Sequence, residues 1–207
     1  MTGRGAAICW LTAGVAYVGL EAITAAAYPG YRYAHGFISD LGRPDSPLSH
    51  LMNAAFVVQG TLFFAASVSL TRTVRVRRPG AFMGFAAANG VGNVIVAMVP
   101  SGTAGIAWVH VSAAMLAIVG GNAAILAGHR FVSDSRWYRA ASVALAALGF
   151  LSFVLLAVAA VSTATVVLPG AVWERASVDT ISGWQVLSAI ERLAHRRPSV
   201  AASSRGD

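Results

Sequence analysis

Lysine is absent from this chain: all 15 basic residues are arginine. Cysteine is nearly absent too. Cys9 stands alone, so neither an intramolecular disulfide nor a metal site built from several thiolates is possible. Charge of either sign is scarce: only 11% of the 207 residues are Asp, Glu, Lys or Arg, against about 25% in an ordinary soluble domain. That is too little polar surface to cover a water-facing sphere, which excludes a soluble globular enzyme and a disordered chain. The net charge of +7 does not indicate a nucleic-acid partner either, because the arginines stand between apolar stretches. Gly-rich phosphate loops, nucleophile elbows and zinc-protease motifs are missing as well.

What is present is apolar. Hydrophobic residues make up 57% of the chain, and the mean hydropathy is +0.66. About 20 apolar residues at 1.5 Å rise cross a hydrocarbon core of roughly 30 Å. Against that length the chain divides into six spans, at about 6–28, 47–70, 81–99, 105–128, 140–161 and 174–193. The expected class is an all-α polytopic transmembrane bundle of six helices, with residues 1–194 as a single membrane domain and 195–207 as a disordered cytoplasmic tail. Ser46 suits an N-cap and Pro47 the first helical position of the second span. The sixth segment carries Asp179, Gln185 and Glu191, so an interfacial amphipathic helix is the alternative there. The start also reads as a signal peptide with a small-residue site at Ala25-Ala26-Ala27; its length and Glu21 favour a retained span.

Arginine bookkeeping orients the bundle. The N-terminus, the 72–78 and 130–139 connections and the C-terminal end hold 12 of the 15 arginines, leaving Arg32, Arg43 and Arg175 for the opposite face. Positive-inside therefore places both termini in the cytoplasm; the expected location is a bacterial inner (plasma) membrane. Tyr28, Tyr31, Tyr33, Trp108 and Trp173 fall near the outer boundary, and Trp10, Trp137 and Tyr138 near the inner one. Gly80 and Gly84 form a GxxxG spacing that allows close helix approach. Asn89 and Asn93 share a helix face, and with Gln59 and Asn122 they make either a polar path or interhelical hydrogen bonds.

The longest outer loop, residues 29–47, contains Ile38-Ser-Asp-Leu-Gly, which reads as a turn leading back into the bundle: Ser39 and Asp40 accept backbone N–H bonds and Gly42 supplies positive φ. Tyr28-Pro-Gly-Tyr, His35-Gly-Phe-Ile-Ser-Asp-Leu-Gly and the following span with Asn53 and Gly60 resemble the domain-of-unknown-function 998 family of prokaryotic membrane proteins. The Pro100 turn followed by His110, and Pro169-Gly-Ala-Val-Trp-Glu-Arg-Ala-Ser-Val leading to Trp184, agree with it. The Ile-Ser-Asp-x-Gly element is also similar to the loop of Frag/DRAM-type membrane proteins. These resemblances imply fold and topology, and no established activity.

Ionisable groups within spans are costly, on the order of 2.5–3.5 kcal/mol near the centre, and mark sites by default. Glu21, His35, Ser39, Asp40, Arg43, His110, Glu174 and Arg175 all belong to the outer half and form the candidate binding cluster. Three uses are open. His35, Asp40 and His110, with Glu174, could ligate a metal that activates water on a lipid headgroup. Asp40 or Glu21 could act as base with His110 while Arg43 or Arg175 holds a phosphate or carboxylate, making Asp40, His110 and Glu174 the catalytic candidates. Alternatively, Glu21–Arg175 or Asp40–Arg43 are structural pairs that lock loop to bundle. No cofactor is expected, and a metal ion is left open. Membrane lipids are the expected partners. The functional expectation is an outward-facing polar pocket that binds a lipid or small amphiphile, the alternatives being a membrane-embedded lipid-modifying hydrolase and a small transporter.

Overall fold

The structure, a computed structural model, describes residues 3–74, 78–162 and 167–194; the expected tail at 195–207, with Arg75 and Arg77, lies outside the described residues. Among the described residues six helices make up the bundle: α1 (Gly3–Ala27), α2 (Ser49–Val74), α3 (Gly80–Met98), α4 (Ala107–Val132), α5 (Arg136–Val161) and α6 (Gly170–Ala194). Among the described residues there is no strand. Five helices, α1 to α5, are long and apolar enough to cross a membrane. The sixth is as long but more polar. It is nonetheless a full member of the bundle, packed against α1, α4 and α5, and does not lie apart as an interfacial helix would.

Proline sets several helix ends. Pro29 follows α1, Pro79 precedes α3, Pro100 lies two residues past α3, and Pro169 precedes α6, each where a missing N–H interrupts no helical bond. The second span departs from expectation. Ser46 does not cap it: its buried hydroxyl has no partner, and α2 begins at Ser49 after a turn in which Ser49 N–H bonds the Ser46 carbonyl at 3.2 Å. α4 and α5 each run about one turn further at the connecting 133–135 segment than apolarity alone indicates, because arginine and histidine stems can lie along a helix while their heads reach polar surroundings.

Consecutive helices pack side by side and α6 closes the ring against α1. The chain alternates between two ends. One end carries the 28–48 loop and the 99–106 and 167–169 connections; the other carries Gly3, Ala194, and the α2–α3 and α4–α5 connections. Near this second end Trp10, Phe63, Leu70, Phe82, Ile125, Tyr138 and Trp184 form one core. Trp10 faces the inside of the bundle, where it meets Trp184 edge-on at 5.2 Å. Near the loop end Tyr17, Ile38, Leu41, Met52, Phe56 and Val96 form another. The loop contributes its own apolar plug, since Ile38 and Leu41 are buried. Outward-facing residues are also apolar, among them Val143, Leu148, Leu151, Val154 and Val158 along α5, the pattern of a surface solvated by lipid.

Candidate functional site

The loop is fixed by Arg175. This residue sits near the start of α6 and is almost buried with Glu21 of α1, at 11% and 6% side-chain exposure. Its Nε donates to Glu21 Oε1 at 3.1 Å. Nη1 donates to the Tyr33 and Gly36 carbonyls, both at 2.7 Å, and Nη2 to the Tyr31 hydroxyl. The guanidinium also lies 4.8 Å from the Tyr33 ring centroid and 5.6 Å from that of Tyr31. Tyr31 in turn donates towards the Gly36 and Phe37 carbonyls, at 3.1 and 2.9 Å, and burial raises its phenol to about 12 despite the nearby guanidinium. One side chain thus joins α6, α1 and the loop, as the structural-pair alternative requires.

The Ile38–Gly42 segment is a short 3-10 turn. Asp40 accepts from the Phe37 N–H at 3.0 Å and from Ser101 Oγ at 3.4 Å; Glu174 of α6 accepts from the Ile38 N–H at 2.5 Å. Asn53 of α2 donates to the Gly42 carbonyl at 3.0 Å. Gly42 does not take positive φ, which among the described glycines is confined to Gly30, Gly102 and Gly105. Glycine is needed there for space, since a Cβ would lie 2.4 Å from Asn53 Oδ1. The expected Asp40–Arg43 pair is also replaced. Arg43 Nε donates to Asp45 Oδ1 at 3.0 Å, while Asp40 serves its own turn.

The eight candidates therefore do not form one cluster. His35, Asp40 and Arg43 line an open basin of about 440 Å³ on the loop, with Tyr28, Arg32 and Asp45. Ser39 and Glu174 line an internal cavity of about 40 Å³, with Tyr17, Gln59, Asn89 and Asn93. Asn89 donates to the Ala117 carbonyl at 2.8 Å, but its Oδ1 and Gln59 Oε1 are buried without partners. This volume suffices for water. Asn122 is not among those lining the cavity: it bridges helices through the Ser177 carbonyl at 3.0 Å and Thr180 Oγ1 at 3.0 Å. His110, buried on α4, holds the α3–α4 turn through Nδ1–H and the Val99 carbonyl at 2.6 Å. Among the described residues no group of three or more His, Cys, Asp or Glu could hold a metal ion, so His35, Asp40 and His110 do not combine into one.

Glu21 and Arg175 border a third space, which the sequence reading missed: a trough of about 480 Å³ between α1 and α6. Gly14, Val18, Glu21 and Ala22 line it from α1, and Arg175, Asp179, Ser182, Gly183 and Val186 from α6, with Tyr33 of the loop at its charged end. Both sets recur at helical spacing of three, four and seven residues, so each presents one face. Asp179 is exposed and, among the described residues, makes no hydrogen bond or ion pair, although it feels the charge of Arg175 one turn away. The available signal was its position four residues after Arg175 on a single helix.

At the basin, Arg43 holds the Asp45 carboxyl below the usual carboxylate range through their hydrogen bond. A carboxyl lowered on folding stabilises the loop above its ordinary value of about 3.9, and that contribution disappears as pH falls through the lowered value. Carboxyl NMR of Asp45 is expected to titrate below about 3.9 and to return towards it in Arg43→Gln. An unchanged midpoint in the variant would disprove the pairing.

A six-helix bundle faced with apolar side chains and holding its ion pair inside defines a helical membrane protein. The family described as protein of unknown function (DUF998) matches residues 11–191, and the chain belongs to that family. No curated protein and no solved structure matches it.

Proposed function

We propose that this chain is a multi-pass protein of the bacterial inner membrane, with both termini cytoplasmic, that binds a lipid or small amphiphile beneath its outer loop. The arginine distribution supports the orientation: of the ten arginines among the described residues, Arg4, Arg72, Arg78, Arg130, Arg136, Arg139 and Arg192 belong to the end opposite the loop. The α1–α6 trough carries the binding reading. Val18 and Val186, further from the loop, give it an apolar length, and Glu21, Arg175, Asp179 and Tyr33 a polar end, which is the division of an amphiphile. Its flank position gives access from the bilayer without crossing the loop. The basin is polar and suits a headgroup alone.

The test is occupancy of the trough. Gly183→Phe fills it from a position where a Cβ meets nothing within 4 Å. Native mass spectrometry of the purified chain is expected to show a bound amphiphile that is depleted in Gly183→Phe and retained in His35→Ala. Absence of any bound amphiphile, or equal retention in Gly183→Phe, would overturn the reading.

A further inference from the structure

We propose that the head selected by the trough is a primary ammonium group, an inference that rests on the amphiphile-binding reading above. The charges facing the trough are Glu21, Arg175 and Asp179, which sum to −1 when ionised, so one positive charge completes them. Arg175 is largely committed: Glu21, two loop carbonyls and the Tyr31 hydroxyl take four of its five N–H donors. A phosphate or carboxylate would have to dismantle that arrangement.

Asp179 has the opposite character. It is exposed on the flank of a bundle surrounded by lipid, and an unpaired carboxylate there is costly. Three residues further along α6, Ser182 also lines the trough; it is 2% exposed and its hydroxyl has no partner. Spacing of three places the two on one face. A carboxylate and an unsatisfied hydroxyl together accept N–H donors, which a primary ammonium supplies and a quaternary ammonium lacks. The tail follows Val18 and Val186 away from the charged end.

The full-length chain, purified and stripped of lipid, is titrated with decylamine, decanol and decyltrimethylammonium, and separately with phosphatidylethanolamine and phosphatidylglycerol, binding being read by native mass spectrometry. Decylamine is expected to bind about tenfold more tightly than decanol or the quaternary amine, and Asp179→Asn to abolish that preference without lowering the unfolding temperature. Ser182→Ala, the second variant, is expected to weaken decylamine binding several-fold, whereas Asp45→Asn in the basin changes nothing. Binding of phosphatidylethanolamine over phosphatidylglycerol identifies a lipid source; binding of decylamine alone identifies a free amine. Equal affinity for decylamine and decanol, or an amine preference surviving in both Asp179→Asn and Ser182→Ala, overturns the ammonium assignment and leaves amphiphile binding standing. Failure of every probe to bind overturns both.

Discussion

Arg175→Met is expected to cost about 3–5 kcal/mol of stability, the range found when one member of a buried ion pair is removed. The loss is large because Glu21 stays behind at 5% exposure with no compensating cation, and because the Tyr33 and Gly36 carbonyls lose the donor that anchors the loop. Glu21→Gln is expected to cost less, since its amide oxygen still accepts from Nε. The double variant Glu21→Leu/Arg175→Met should regain part of the loss by removing the stranded carboxylate, but not all, because the loop carbonyls remain unsatisfied. Unfolding in mild detergent measures all three. A change within about 0.5 kcal/mol for Arg175→Met, the size of an ordinary surface substitution, would show that the loop is held elsewhere. The plug residues Ile38 and Leu41 would then carry it.

Much of this architecture is legible in the sequence because membrane spans are written in long apolar runs, and a run of some 20 residues has few other uses. The five apolar helices and their prolines follow directly. Glu21–Arg175 is legible only as one option among three, since the partners are 154 residues apart and nothing local selects Arg175 over Arg43. The Asp40–Arg43 expectation fails for a local reason: a carboxylate within a tight turn finds the backbone N–H of Phe37 sooner than a side chain three residues on. Arg43 is thereby left to Asp45. Glu174 and His110 each spend a polar atom on a backbone group of a neighbouring segment, and Asp40 spends its own on the Phe37 N–H of its turn and the Ser101 hydroxyl. Composition counts ionisable residues; it cannot separate those that stitch irregular backbone together from those that meet a ligand. Asp179 reads in the sequence only as a polar residue of the sixth segment, placed at no site, for the complementary reason. Its importance lies in having no hydrogen bond or ion pair among the described residues, and that is visible only once the neighbouring surfaces are in place.

Glycine shows the same limit, and it makes the second large prediction. Gly80 and Gly84 have the GxxxG spacing, yet a Cβ at either meets nothing within 4 Å. Gly92 has no such motif to announce it. A Cβ there would lie 2.6 Å from the Ala113 carbonyl oxygen and 2.6 Å from the Ala117 nitrogen. Both obstacles are backbone of α4, so no side chain can rotate aside, and α3 and α4 must separate. Gly92→Ala is expected to cost about 3 kcal/mol, the upper part of the usual range for overpacking, and Gly92→Leu more. Gly84→Ala should stay within about 1 kcal/mol of the parent, since only helix propensity changes. Separation also disturbs the internal cavity, whose wall includes Asn89, Asn93 and Ala117, and loosens the Asn89 bond to the Ala117 carbonyl. Thermal unfolding of the three variants in one detergent decides the matter. If Gly84→Ala destabilised as strongly as Gly92→Ala, the α3 seam would have to face Gly80 and Gly84, and α3 would be rotated from the position described. In lipid, where apolar surface on a partner helix is no better than apolar surface on an acyl chain, such close backbone approach is what holds neighbouring helices together. The glycine that matters is therefore the one another backbone touches, whatever its spacing.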